Sequence, residues 1–359
     1  MSVNLSIQRT ERPKERPSEQ ELGEIKFGTV FTDHMLLIDY DEGKGWHDAR
    51  IVPYGPISLD PAACCLHYGQ LIFEGMKAYR TKEQGVVMFR PDRNMARMNE
   101  SCLRMCIPPI DEKEFLDAIA QLVRVDDAWV PSAPGTSLYV RPFIFADEPF
   151  LGVRAAYSYI FATILSPVGS YFKEGLAPVK IYVENEYVRA VRGGTGFAKC
   201  AGNYAASLKS QEEAHRAGYS QVLWLDGVER KYIEEVGGMN IFFVIDGEVV
   251  TPELNGSILP GVTRMSVIDL VKSWGMPMSE RKISIDELAR AYDARRVDEV
   301  FCTGTAAVIS PIGELKWNDI VMRFNDGRIG KVSQRLYDEI TGIQTCVLED
   351  KHGWVYRVG

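Results

Sequence analysis

The sequence predicts a two-domain α/β protein, and three observations lead to that expectation. At 359 residues the chain is longer than one hydrophobic core usually supports. Short strand-like runs and amphipathic helical stretches alternate along its length. Near the middle, Ser166-Pro167-Val168-Gly169-Ser170-Tyr171-Phe172-Lys173-Glu174-Gly175 interrupts the pattern with turn-forming and flexible residues. The expected division is a polar, disordered or loosely attached leader over 1–20, a smaller N-terminal domain over 21–169, a linker over 170–178 and a larger C-terminal domain over 179–359.

In the first half, Val86-Val87-Met88-Phe89 reads as a strand closed by Arg90-Pro91. Residues 94–105 have helical spacing, with Asp92 or Asn94 as cap and a stop before Pro108. Residues 114–129 form a second helix whose Phe115, Ile119, Leu122 and Val123 share a face. Residues 138–141 and 159–164 read as strands. In the second half, 179–183 is a strand, Gly193 to Gly202 is glycine-rich, and 203–217 is a helix with Gly218 at its C-terminal turn. Strand 221–225 ends at Asp226-Gly227. Runs 240–245 and 248–251 form a hairpin through Asp246-Gly247, residues that accept the positive φ of a tight turn. A helix opens at Gly261 and runs to Trp274, and strands at 299–302 and 307–309 flank the turn Thr303-Gly304-Thr305.

Composition excludes some functions. With 49 acidic against 41 basic residues the net charge is −8, which lacks the basic footprint of a nucleic-acid-binding surface but leaves room for a small anionic ligand. Seven cysteines, an odd number in a large chain, do not suggest a secreted disulfide framework. Cys102 and Cys106 have helical spacing but no second ligand pair, so free thiols and no metal site are expected. No run approaches a membrane span and residues 1–20 lack a signal layout, so a cytoplasmic protein is expected.

The chemistry centres on Lys199 in Gly193-Gly194-Thr195-Gly196-Phe197-Ala198-Lys199-Cys200-Ala201-Gly202-Asn203-Tyr204. One long amine among small residues loses hydration, which favours the nucleophilic form that condenses with an aldehyde. The same composition also suits a solvated lysine beside a flexible loop. A nucleotide loop fits poorly, because lysine stands where a dinucleotide fingerprint has its last glycine, and no Gly-Lys-Ser/Thr occurs. In Glu234-Glu235-Val236-Gly237-Gly238-Met239-Asn240 a carboxylate precedes a double glycine, an arrangement suited to a flat ligand or to a plain acidic loop. Leu259-Pro260-Gly261-Val262-Thr263-Arg264 enters a helix whose free N–H groups suit a phosphate, and Thr303-Gly304-Thr305-Ala306 adds a hydroxyl and exposed amides. Either is also an ordinary turn. The histidines lack metal or triad spacing, and Gly-x-Ser-x-Gly is absent.

Together these segments resemble the branched-chain amino acid aminotransferases, of the class IV (fold type IV) pyridoxal-phosphate enzymes. The likeness runs from about Phe27 onward and includes Phe31-Thr32-Asp33-His34-Met35, Leu66-His67-Tyr68-Gly69-Gln70, Phe73-Glu74-Gly75-Met76-Lys77, Phe89-Arg90-Pro91 and Ser137-Leu138-Tyr139-Val140-Arg141-Pro142. It continues through the Lys199 segment, Glu235 to Asn240 and Leu259-Pro260-Gly261. The resemblance implies a barrel-like β core in the C-terminal domain and a homodimer. It implies pyridoxal 5'-phosphate (PLP) on Lys199 as a Schiff base, with Lys199 also shuttling the proton at the substrate Cα. Tyr204 would bond the cofactor's phenolic oxygen and Glu235 its pyridine nitrogen. Arg90, Arg189, the Val262 and Thr263 amides and the Thr305 hydroxyl would hold its phosphate. Phe31, Phe73 and Tyr171 would line an apolar pocket that Tyr68 adjoins. Tyr139, with the Thr305 and Ala306 amides, would hold the α-carboxylate, and Arg141 the distal carboxylate of glutamate. The substrates implied are small amino acids and 2-oxo acids: leucine, isoleucine and valine exchanging their amino group with 2-oxoglutarate. Other class IV activities, D-amino acid transamination and aminodeoxychorismate lyase chemistry, are the nearest alternatives. The chain departs from animal members at Ala307 and Ser310, where they carry a Cys-x-x-Cys pair, and at Gly238, where they have threonine.

Overall fold

The strand-like runs assemble into two separate sheets in a computed structural model, which describes residues 4–22, 25–169 and 176–359. In chain order the strands are β1 (Ser6–Ile7), β2 (His34–Asp41), β3 (Gly45–Pro53), β4 (Leu71–Phe73), β5 (Met76–Arg80), β6 (Val86–Phe89), β7 (Ser137–Ala146), β8 (Ser158–Val168), β9 (Val179–Val183), β10 (Gln221–Leu225), β11 (Ile233–Val236), β12 (Met239–Ile245), β13 (Glu248–Thr251), β14 (Met278–Glu280), β15 (Val297–Gly304), β16 (Val308–Trp317), β17 (Ile320–Arg323) and β18 (Val355–Arg357). Tyr171 and residues 170–175 of the expected linker lie outside the described residues.

The chain divides into two units. The first comprises Met1–Lys173, Ala198–Ala201 and Gly342–Gly359, and the second Glu174–Phe197 and Gly202–Thr341. Residues 198–201 and 342–359, placed by the sequence reading in the second domain, thus group with the first, which holds more of the chain although it was expected to be the smaller.

The first unit is a sheet in the order β1-β3-β2-β8-β7-β5-β6-β18, with β4 on β7. Alternation along β7 explains its two faces. Leu138, Val140 and Ile144 join the core built with the helices Pro91–Arg104 and Glu112–Val125, while Tyr139, Arg141 and Phe143 point the other way. The helix expected over 94–105 begins at Pro91, whose fixed φ suits a first helical position, with Arg90 as its cap at φ 47°. The helix expected over 114–129 is capped earlier, by the Asp111 carboxylate accepting from the Glu114 N–H, and gives way after Val125 to a separate turn at Asp127–Trp129. The expected leader is corrected too. Ser6 and Ile7 pair with Arg50 and Ile51 of β3, and the Thr10 N–H donates to His34 Nε2 at 2.9 Å. Backbone donors that find acceptors do not stay loose.

The second unit closes on itself. Strands follow β11-β10-β9-β16-β15-β12, and β11 pairs again with β12, which makes a six-stranded barrel with no free edge. Ile181, Val183, Leu223, Ile241, Phe243, Val300 and Cys302 belong to one buried cluster with Ile285 and Leu288 of the helix Ile285–Asp293. The Asp246-Gly247 hairpin forms as its residues require, at φ 52° and 77°. The helix expected over 203–217 is broken into Ala201–Ala205 and Leu208–Arg216. Ser207 accounts for the break, because its hydroxyl and its N–H both bond the Tyr204 carbonyl, offering a local alternative to the helical ladder.

The C-terminal strand is integral to the first unit. Its β18 pairs with β6, the Arg90 N–H donates to the Trp354 carbonyl at 2.7 Å, and the Arg90 guanidinium lies 4.7 Å from the Trp354 ring centre. Trp354→Ala is therefore expected to destabilise the protein by about 3 kcal/mol, read as a lower denaturant midpoint.

Candidate active site

Lys199 is fixed by its backbone. Its N–H donates to Ser101 Oγ at 2.9 Å, and its carbonyl accepts from the Phe73 N–H at 3.0 Å. Ser101 stands on the helix Pro91–Arg104 with Asn94 and Arg97, and Arg90 caps the same helix. One rigid element therefore carries both the guanidinium expected at a phosphate and the hydroxyl that anchors the lysine. The helix is tied down through Glu74, which is fully buried. The Glu74 carboxylate accepts from Arg97 Nε and Nη2, each at 2.8 Å, from Asn94 Nδ2 at 2.7 Å and from the Gly75 N–H. Burial alone would raise its pKa, but Arg97, Lys199 and Asn94 outweigh burial and leave the carboxyl below its ordinary value of 4.5.

The Lys199 side chain, half-buried, runs over an aromatic floor. Its Nζ is 5.0 Å from the Phe73 ring centre and the Arg141 guanidinium carbon is 4.7 Å from the same centre. Arg141 Nη2 donates to the Tyr139 hydroxyl at 2.8 Å, and Phe27 packs edge-on against Tyr139 with ring centres 4.8 Å apart. Close approach explains Gly75, since a Cβ there would lie 2.2 Å from the Tyr139 hydroxyl. Arg141 Nε is buried with no hydrogen-bond acceptor among the described residues. A guanidinium with an unused donor beside an amine and a phenol suits a carboxylate.

In the second unit Glu235 is the centre of a buried polar set. It pairs with Arg189, and its Oε1 accepts from Asn240 Nδ2 at 3.1 Å and from the Leu259 N–H at 3.3 Å. Asn240 Nδ2 also donates to the Leu259 carbonyl, so one side chain joins the carboxylate to the Leu259-Pro260-Gly261 turn. Gly261 is required there, because an added Cβ would sit 2.1 Å from Asn240 Oδ1. Gly261 caps the helix Val262–Ser273 without a side-chain hydrogen bond, which leaves the Val262 and Thr263 amides for an anion. The Thr305 turn follows β15, which places Thr303 opposite Asn240. Val308, just past it, holds φ 62°, a strained value for a β-branched residue, and Thr303 Oγ1 is buried without a partner among the described residues. The ring of Tyr204 lies over Gly238, whose added Cβ would meet Tyr204 Cε1 at 3.5 Å. These donors fit a phosphorylated aromatic ligand: uncapped helix amides for its anion, and a buried carboxylate for a ring nitrogen.

The two adjacent acids are divided by their surroundings. Glu234 bonds Ser257 Oγ and Asn255 Nδ2, and burial raises its pKa. Arg189, expected at the phosphate, pairs with Glu235 and donates to the Ser257 carbonyl at 2.7 Å and the Gly196 carbonyl at 3.3 Å. A buried carboxylate demands a partner, and Arg189 supplies it. Tyr68, expected near the substrate, faces solvent in this chain and donates to the Leu151 carbonyl. Phe31 stacks on Tyr54 at 5.1 Å. Ala306 lies in the turn after β15, and Tyr171 lies outside the described residues. The sequence reading missed Asn240, Glu74, Arg97 and Ser101 as site-builders. Buried polar residues within apolar helical or strand patterns were the available signal.

Glu74→Gln should cost about 3 kcal/mol at neutral pH by leaving Arg97 buried without its counter-charge. Glu74's contribution is complete above its ordinary pKa of 4.5 and is lost as pH falls through the lower native value. Unfolding free energy measured against pH should therefore fall less steeply below pH 4.5 in Glu74→Gln than in the parent.

The sequence matches the family described as Amino-transferase class IV over residues 71–315. It is 57% identical over 357 residues to Branched-chain-amino-acid aminotransferase 2 of Bacillus subtilis (strain 168), covering 99% of this chain and 97% of the relative. The fold is similar to the branched-chain amino acid aminotransferase of Escherichia coli, with a TM-score of 0.77 and 30% identity over 91% of this chain and 99% of that one. A branched-chain amino acid aminotransferase from T.th., complexed with N-(5'-phosphopyridoxyl)-L-glutamate, matches with a TM-score of 0.72 and 27% identity over 90% of this chain and 98% of that one. Full-length likeness in sequence, a closed barrel and a backbone-clamped lysine agree: the chain belongs to the class IV aminotransferases, in the branched-chain-amino-acid aminotransferase family.

Proposed function

We propose that Lys199 binds PLP covalently and serves as the acid–base group of a reversible transamination, L-leucine, L-isoleucine or L-valine with 2-oxoglutarate giving the branched-chain 2-oxo acids and L-glutamate. The observation that carries this reading is an amine clamped on both sides of its backbone and set 5.0 Å from the Phe73 ring centre, beside Arg141. When bound, the cofactor supplies an electron sink for the pair left behind as Cα loses its proton. The residues supply everything else. Lys199 Nζ takes the proton from Cα and returns it, which a single flexible amine at the end of a fixed backbone can do. Glu235 would face the pyridine nitrogen, and Arg189, paired with Glu235, would set the position of that carboxylate beside its expected role at the phosphate. Tyr204 bonds the phenolic oxygen. Arg90, the Val262 and Thr263 amides and the Thr305 hydroxyl take the phosphate, as a dianion prefers guanidinium and helix-end donors.

For the substrate, Phe31 and Phe73 form the apolar wall. Tyr139 with the Thr305 and Ala306 amides receives the α-carboxylate, and the unused Arg141 donor supports a role on the distal carboxylate of glutamate. Aromatic walls discriminate weakly by size, about 1–3 kcal/mol per methylene, so all three branched side chains are accepted. The working form is proposed to be a cytoplasmic homodimer that binds neither nucleic acid nor membrane. Exposed Leu66, Tyr68, Leu151 and Val153 support a self-association surface. No helix among the described residues is long and apolar enough to cross a membrane.

Borohydride reduction followed by peptide mass mapping tests the anchor. The cofactor should appear on Lys199, whereas a label on Lys77, which burial lowers to about 8, would refute the assignment. Lys199→Ala should lower kcat by roughly a thousandfold or more. L-leucine should turn over faster than D-alanine, and the reverse order would place the protein among the D-amino acid enzymes of its class.

A further inference from the structure

The N-terminal arm is held against a segment expected to line the substrate pocket, and its attachments converge there. After β1 pairs with β3, the Gln8 N–H donates to the Ile51 carbonyl at 2.8 Å and the Thr10 N–H to His34 Nε2. His34 Nδ1 donates in turn to Asp126 Oδ1 at 2.6 Å, and the second Asp126 oxygen accepts the His34 N–H. That chain fixes the neutral tautomer in which Nε2 accepts. Arg16 Nη1 then reaches the Ala128 carbonyl at 3.1 Å.

Between these anchors Lys14 makes four contacts with residues 31–54. Its Nζ donates to the Thr32 carbonyl at 2.7 Å and to the Phe31 carbonyl at 3.1 Å, and its N–H donates to Asp33 Oδ1 at 2.8 Å. The same Nζ lies 4.2 Å from the Tyr54 ring centre, and Tyr54 stacks on Phe31 at 5.1 Å with the planes 8° apart. Asp33 is held on its other oxygen by Trp129 Nε1, and the Asp33 carbonyl accepts from the Tyr54 N–H. The ammonium thus grips the backbone of Phe31 while bearing on the ring against which Phe31 packs. Residues 31–33 precede β2 and carry backbone bonds at Thr32, whose N–H donates to the Leu165 carbonyl at 3.1 Å, and at the Asp33 carbonyl, so Lys14 adds side-chain donors to the Phe31 and Thr32 carbonyls beside them.

We infer that the arm over residues 6–16 is a working part of substrate recognition, with Lys14 as a positioning residue that fixes the Phe31 ring as a pocket wall. The inference rests on the proposed reading that Phe31 lines the pocket. An apolar substrate side chain depends on that wall, whereas glutamate's distal carboxylate is held by Arg141 and depends on it less.

The PLP-loaded full-length enzyme tests this in single-turnover half-reactions with L-leucine and L-glutamate. Lys14→Met keeps the stem and removes the ammonium. It should lower kcat/KM for L-leucine about tenfold, through KM more than through the limiting rate, with a clearly smaller loss for L-glutamate. Lys14→Arg, which retains a charged donor, should restore most of the leucine value. Equal losses with both substrates, no loss with either, or a failure of arginine to rescue would overturn the inference. Phe31→Ala separates the two layers. If it weakens leucine selectively while Lys14→Met does not, the wall stands and the strap falls. If Phe31→Ala changes neither substrate, both fall together.

Discussion

The site depends on one constraint, that Lys199 is held through its peptide groups. The Ser101 hydroxyl accepts its N–H and the Phe73 N–H donates to its carbonyl, so the root of the side chain has one position. A group that must form a bond, release it and carry a proton needs such a fixed root. The flanking residues repeat the logic. Thr195 and Asn203 exchange two hydrogen bonds, at 2.7 and 2.8 Å, and so close the base of the loop from which the lysine projects. Gly196 lets that loop run against Ser257, where any Cβ would lie 2.2 Å from a carbonyl oxygen.

Buried charge is placed with equal care. The structure buries Glu74 with Arg97 and Glu235 with Arg189, each carboxylate receiving neutral donors as well. Such pairs contribute little net stability, because desolvation offsets most of the attraction. Their value is positional. A carboxylate with several donors has one acceptable location, and that location sets the helix that carries Arg90 and Ser101 in one case, and the turn that leads to the Val262 amides in the other.

Much of this was legible in the sequence, and the limits have physical causes. Periodicity located β6, β9 and β10, and Asp246-Gly247 announced its hairpin, because those signals are local. Helix ends were missed at Pro91 and at Ser207, where a proline or a serine hydroxyl acts against the apolar pattern. The arm over residues 6–16 read as a leader because its partners, His34, Asp33 and Ala128, are far away in sequence. The pairing of Arg189 with Glu235 was invisible for the same reason. Residues that position the site, such as Asn240, Glu74 and Ser101, look like ordinary polar positions until the fold brings their partners near.

The placement of β18 has a consequence for synthesis. Arg357 Nε reaches Gln84 across 273 positions of sequence, and β6 meets its outer neighbour only when that late segment arrives. A ribosome delivers β6 long before β18. Until residues 355–357 emerge, the outer edge of β6 must wait with a row of unmatched amides and carbonyls, and Arg90 waits with it. Nascent chains of this protein therefore pass through a long interval in which chaperones, or self-pairing with a neighbouring nascent copy, compete for that ribbon.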